Sequence, residues 1–252
     1  MGIVISDMRR AFISPRFLIA IALVAFVRLF SGGEIKVMED VVQTYLYQDE
    51  LYELVFIICS IPFLNGFVED WESRVFLSYV SRCGVVKYAL SKYCTAILAA
   101  LLCNLFGNAL YVAILAGKGP LMLSEGSNHD TMSYYFLGGA LAQRQPLLFL
   151  FGRWLSFSFV QTIVMAIALC FSTYCLKPLI SLISPFIIYF LMSFLVWMLG
   201  APGYLLPARQ IKGNMTGSDM RDLCIYLSES CACVTLLGCA YLRRIKELMQ
   251  RA

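Results

Sequence analysis

Residues 93–117 read YCTAILAALLCNLFGNALYVAILAG, a run of 25 residues without a charged side chain. A helix needs about 20 predominantly apolar residues to cross the hydrocarbon core of a bilayer, where it satisfies its backbone hydrogen bonds internally. The apolar residues of this run are continuous, whereas those of a membrane β-barrel strand alternate with other residues. The run therefore predicts a transmembrane α-helix.

The composition of the whole chain agrees with a helical membrane protein. Of its 252 residues, 60% are hydrophobic and 14% are charged, whereas soluble domains are about 45–50% apolar and about 25% charged. The predicted spans cover about residues 11–30, 51–68, 93–117, 147–174, 179–200 and 222–242. We therefore expect an all-α polytopic membrane protein whose residues 1–252 form one transmembrane domain with six helices, without a separate soluble catalytic module.

The distribution of basic residues predicts the orientation in the membrane. The formal net charge of +4 is too small to indicate nucleic-acid binding. Twelve Lys and Arg residues fall on the side that holds both termini, and six fall on the other side. Because cytoplasmic loops carry an excess of Lys and Arg, we expect both termini in the cytosol. We also expect the membrane to be the plasma membrane of a bacterial cell.

The ten cysteines do not predict disulfides or a metal site. Seven of them lie inside apolar runs, and no two fall in predicted outer loops. Cys231 and Cys233 would need companion ligands to bind a soft metal, and the sequence shows none nearby. We therefore interpret them as small packing residues and expect no metal or cofactor on this chain.

The N-terminal residues 1–15 predict a short amphipathic helix. Ile5, Met8 and Phe12 recur at helical spacing among polar neighbours, and Pro15 permits a bend into the first span. We expect an elbow helix that lies in the cytosolic interface of the membrane. The alternative is a plain cytosolic overhang of the first span.

The segment between the second and third spans predicts another amphipathic helix. Residues 67–92 read FVEDWESRVFLSYVSRCGVVKYALSK. Its apolar residues lie on one helical face, acidic residues precede it where the positive helix end favours them, and Gly84 can close it. The apolar face needs a cover, which lipid headgroups, the protein's own helices or the groove of a partner can provide.

This segment resembles the coupling region of ABC-2 type transporter permeases. In that family a span ends in an acidic cluster, a short coupling helix follows and docks into a groove of a separate ATPase subunit, and a lysine stands at the next span. The corresponding helix here is Arg74–Val80, followed by Ser81-Arg82 and by Lys92. The ATPase-coupling residues implied by the resemblance are Glu69, Glu72, Arg74, Val75, Phe76, Tyr79, Val80 and Arg82.

The resemblance implies the permease subunit of an ABC exporter, with an interfacial elbow helix and a cytosolic coupling helix. The sequence lacks a phosphate-binding loop of the form GxxxxGK[ST]. We therefore expect this chain not to be an enzyme, and ATP and Mg to bind on a partner ABC ATPase subunit. A second permease subunit, identical or paralogous, is also implied, with the lipid bilayer around both.

Polar residues inside the predicted spans are candidates for a translocation path. They are Asn104, Asn108, Gln161 and Glu229. The alternative for the amides is helix–helix packing through hydrogen bonds. For Glu229 the alternatives are a proton relay and an ion pair with Arg28 or Arg153.

Two other functions stay open. An ion-coupled secondary transporter is expected to carry several buried carboxylates or corresponding broken helices, and Glu229 alone is a carboxylate well inside a predicted span. The other is a membrane protein that transports nothing, such as an immunity or assembly factor.

Overall fold

The described residues are helical and without strands. The structure is a computed structural model that describes residues 2–31, 53–117, 137, 140, 145–200 and 218–251. The helices within these ranges are α1 Gly2–Phe12, α2 Pro15–Ser31, α3 Leu54–Ile58, α4 Gly66–Glu72, α5 Phe76–Cys83, α6 Val85–Ala116, α7 Pro146–Ser172, α8 Pro178–Met198 and α9 Asp219–Arg251.

Four of these helices, α6 to α9, are long and apolar enough to cross a bilayer. Helices α1 and α2 meet the same test only as a pair, bent by 45° at the break before Pro15. The described chain therefore has four to five candidate membrane spans. They correspond to the first, third, fourth, fifth and sixth predicted spans, although α6 begins earlier and α9 ends later than predicted.

The predicted second span, residues 51–68, is not confirmed, because its described part is not a continuous helix. Turns over residues 59–65 separate α3 from α4. Pro62 lies in this break. Proline favours such a break, because it donates no backbone hydrogen bond and disfavours a helical conformation in the residue before it. The Ser60 hydroxyl donates to the carbonyl of Ile57 at 2.6 Å and also lies 3.1 Å from that of Leu182, which brings the broken segment into contact with α8.

Helices α6 and α7 form the centre of the bundle, and α9 lies at its edge. The most apolar stretch of α7 is 72% buried inside the protein, whereas that of α9 is 17% buried. Helix α2 approaches α6 closely at Gly107, where a Cβ atom would lie 2.5 Å from Cβ of Val24. A residue without a side chain is required for this approach. The lipid bilayer would cover the exposed apolar faces of α2, α8 and α9.

Helices cover both predicted amphipathic segments, and both ends of the second are shifted, since it ends at Cys83 and not at Val80. Helix α1 covers the predicted N-terminal helix. Helix α5 begins at Phe76, two residues after the predicted start, because Arg74 has a left-handed φ of 56° that interrupts the helical path. Gly84 ends α5 with a φ of 80°, a conformation that favours glycine.

Candidate functional site

Lys92 is the centre of a buried cluster of charged residues that joins three helices. Its side chain is 1% exposed, on α6. Its Nζ donates to Oδ1 of Asp7 on α1 at 2.8 Å and lies 2.7 Å from Oδ2 of Asp70 on α4. One ammonium group thus ties the N-terminal helix, the segment after the broken span and the long central helix together.

The remaining atoms of the two carboxylates are also paired. Asp70 accepts hydrogen bonds from Nη1 of Arg10 at 2.9 Å and from the hydroxyl of Tyr88 at 3.2 Å. Asp7 accepts one from the hydroxyl of Ser91 at 2.6 Å. Two carboxylates therefore face two cations, and this compensation is what makes buried charge tolerable in an apolar environment.

Aromatic rings surround the Lys92 ammonium group and bring α5 into the cluster. The Nζ atom lies 5.1 Å from the ring centroid of Phe63, 5.6 Å from that of Tyr88 and 5.9 Å from that of Tyr79. These distances are within the range of cation–π contacts. Because Tyr79 belongs to α5, the short helix is attached to the same charge that ties α1, α4 and α6.

The apolar face of α5 is directed mainly at the protein itself. Phe76 is 4% exposed, and its ring stacks on Trp71 at 4.5 Å with an interplanar angle of 11°. Tyr79 and Val80 also pack against the core. Phe76 is therefore buried, while Tyr79 and Val80 are partly buried, and their role in ATPase coupling stays a prediction. The protein's own helices are the cover, one of the three alternatives left open above.

Helix α5 nevertheless has an exposed side. Leu77 is 54% exposed and Val75 is 41% exposed. We call this surface the α5 outer face, and it consists of Arg74, Val75, Leu77, Ser78, Ser81 and Arg82. Its two cations and two apolar side chains give it a basic, partly apolar character. It retains three of the predicted ATPase-coupling residues and adds Leu77, which the sequence pattern did not single out.

The two predicted glutamates have different surroundings. Glu69 accepts a hydrogen bond from Nη1 of Arg16 at 2.6 Å and lies 3.9 Å from Nη2 of Arg10. It therefore fastens α4 to the bend between α1 and α2. Glu72, at the end of α4, is exposed beside the α5 outer face.

A chain of buried polar side chains crosses the bundle at another level. Nε of Arg28 donates to Oδ1 of Asn108 at 3.1 Å, and Nδ2 of Asn108 donates to Oδ1 of Asn104 at 2.8 Å. Nδ2 of Asn104 donates in turn to the hydroxyl of Ser158 at 2.9 Å. These bonds connect α2, α6 and α7, as expected if the two asparagines serve helix packing.

The other two predicted path residues lie apart from this chain of bonds. Gln161 is fully buried on α7, and neither its amide oxygen nor its nitrogen has a hydrogen-bond partner among the described residues. Glu229 is partly buried on α9, where it and Arg153 are both within electrostatic range of Tyr226. The alternatives of ion pair and proton relay for Glu229 stay as predictions.

Sequence reasoning missed several members of the Lys92 cluster. Asp7, Arg10, Phe63, Tyr88 and Ser91 received no role, although Lys92 and Asp70 were already part of the predicted segment. Asp7 and Ala11 are the buried residues of α1, one turn apart. A carboxylate on the buried side of an amphipathic helix was the available signal, since such a charge requires a partner.

In the described part of the chain, no group of three or more His, Cys, Asp or Glu side chains is arranged to hold a metal ion. Comparison with protein-family models finds no match. Comparisons with curated proteins and with solved structures find no match either.

Proposed function

We propose that the chain is the permease subunit of an ATP-driven membrane transporter of the exporter kind. In this proposal a separate ATPase subunit of the ABC class, which binds ATP and Mg, docks on the α5 outer face. A second permease subunit, identical or paralogous, completes the path through the plasma membrane. The observation that supports this most is an exposed short helix attached to a buried charge cluster that joins α1, α4 and α6.

The attachment of α5 explains how a docking event could act on the membrane helices. The stack of Phe76 on Trp71 and the contact of Tyr79 with Lys92 attach α5 to α4 and α6. Helix α6 is 32 residues long and runs through the centre of the bundle. A displacement of α5 by the ATPase would therefore shift α6 and bias the bundle between two arrangements, provided that the ATPase binds one of them more tightly.

A specific observation favours a second candidate, an ion-coupled transporter. Asp7 and Asp70 are both buried, so the chain has more buried carboxylates than its apolar runs suggested. Buried carboxylates at membrane depth are typical of proton relays. Both are bonded to Lys92, however, and Asp70 also to Arg10, which suits a structural cluster better than a relay.

The test is co-purification from the native cell with substitutions on the α5 outer face. We expect the tagged chain to carry an ATPase whose sequence contains a phosphate-binding loop. Leu77→Asp should remove that ATPase, because the charge would be buried on docking, while the variant keeps its elution volume and melting temperature. Gln250→Asp is the matched control, since it adds the same charge at an exposed position on the same predicted side of the membrane.

Retention of the ATPase by the Leu77→Asp variant would contradict docking at the α5 outer face. If no ATPase accompanies the unsubstituted chain, and transport by proteoliposomes follows a proton gradient without ATP, the ion-coupled candidate replaces the first.

A further inference from the structure

A pocket lies beside the bend between α1 and α2. Its volume is about 520 Å³, within the range of small-molecule binding sites. Its walls come from the end of α1, the start of α2 and the turn around Pro62. The polar side chains that line it include Arg9, Arg16 and Asn65.

The pocket has an excess of positive charge. Three arginines line it, Arg9, Arg10 and Arg16, together with one carboxylate, Glu69. Arg16 and Arg10 use part of their donors on Glu69 and Asp70. Arg9 is exposed and forms no ion pair with a described residue. Because a guanidinium group has five N–H donors in a planar fork, these side chains have donors left for a phosphate group.

The surroundings of the pocket favour a phosphate that belongs to a lipid. Ile13 lines the pocket and is 78% exposed, and Leu18 and Ile19, just inside the apolar helix α2, are also exposed. The pocket therefore lies where a polar surface meets a surface suited to acyl chains, which is the headgroup level of a bilayer. The apolar rim would not contribute to the binding of a free phosphate ion.

We propose that this pocket binds the headgroup of an anionic phospholipid, with the Arg9 guanidinium group at its phosphate. This inference does not depend on the proposed function.

The test uses the full chain, purified in detergent and stripped of bound lipid. Native mass spectrometry and thermal melting are measured with short-chain phosphatidylglycerol, with short-chain phosphatidylcholine and with inorganic phosphate. We expect phosphatidylglycerol to bind more tightly than phosphatidylcholine and to raise the melting temperature, while phosphate does neither. Arg9→Gln should weaken phosphatidylglycerol binding by about fivefold, and Arg9→Lys, which keeps the charge, should weaken it less.

Lys246→Gln is the matched control, because Lys246 is an exposed cation on α9. We expect it to leave the lipid selectivity unchanged. Equal weakening by Lys246→Gln would mean that total charge retains the lipid and would overturn the pocket. Unchanged binding by the Arg9→Gln variant, or an equal effect of inorganic phosphate, would overturn it as well. Arg9 is exposed, and melting in phosphatidylcholine shows whether each variant is folded.

Discussion

Replacement of Lys92 by methionine should be among the most destabilising changes of a single charge in this chain. Methionine matches the length and apolar stem of lysine but removes the ammonium group between Asp7 and Asp70. Asp70 would keep Arg10 as a partner. Of its direct bonds, Asp7 would keep the one from Ser91, so a buried carboxylate would lose the cation that is bonded to it.

The magnitude follows from the burial of the cluster. Removal of one partner from a buried ion pair costs about 3–5 kcal/mol of unfolding free energy. In a chain of this size, 1 kcal/mol shifts the melting temperature by about 2–4 °C. The Lys92→Met variant should therefore melt about 6–20 °C below the unsubstituted chain.

The assay is thermal melting in detergent, and the readout is the loss of the monodisperse elution peak. Lys87→Met is the matched control, because Lys87 is an exposed lysine near the start of the same helix. It should melt within about 2 °C of the unsubstituted chain. Addition of Asp7→Asn to Lys92→Met should restore part of the loss, since the double variant no longer buries an unpaired carboxylate.

A Lys92→Met variant that melts like the Lys87→Met variant would refute the compensated cluster. A double variant that is destabilised by the full sum of its two single changes would show that Asp7 and Lys92 do not interact.

Three other substitutions test the packing of the bundle by the same melting assay. Gly107→Ala should lower the free energy of unfolding by about 1–3 kcal/mol, because its Cβ would force α2 away from α6. Gly117→Ala is the control and should be nearly neutral, because its Cβ would have no neighbour nearer than 3.4 Å. Equal melting temperatures of the two variants would contradict the close approach of α2 and α6. Phe76→Ala should lower the free energy of unfolding by about 3–5 kcal/mol, whereas Leu77→Ala should change it by no more than about 0.5 kcal/mol. The reverse order would mean that Leu77, and not Phe76, packs against the core. Asn104→Leu should cost about 0.6–2 kcal/mol through its lost hydrogen bonds, and a loss of transport without any change in melting would instead support a role in the translocation path.

The long spans were predictable because their signal is local. An apolar run of about 20 residues with few charges has few alternatives to a transmembrane helix, and α6 to α9 follow such runs. Their ends were less predictable, since α6 begins at Val85 and includes Lys92 in its buried part. A lysine inside a span is tolerated here only because carboxylates of other helices reach it, which a single run of sequence does not reveal.

The broken second span shows the opposite case. Residues 51–68 are apolar enough to suggest a span when averaged, but one proline at position 62 interrupts the helix. Pro15 was interpreted as permitting a bend, and Pro62 was a signal of the same kind.

The Lys92 cluster was predictable only in part. Asp70 and Lys92 were both recognised as flanking the short helix, but Asp7 is 85 positions away from Lys92 along the chain. Contacts of that separation depend on how the helices pack. The burial of Phe76 on α5 was unpredictable for the same reason. Its ring stacks on Trp71 of α4, whereas the sequence pattern left open whether a partner covers it.

The proposed docking requires the α5 outer face to lie in the cytosol, and labelling from both sides of the membrane tests this directly. A Leu77→Cys variant is treated with a membrane-impermeant maleimide in intact and in permeabilised cells, with the unsubstituted chain as the control for its own cysteines. The account predicts that the added label appears only after permeabilisation. Added label in intact cells would place the α5 outer face outside the cell and contradict docking of a cytosolic ATPase.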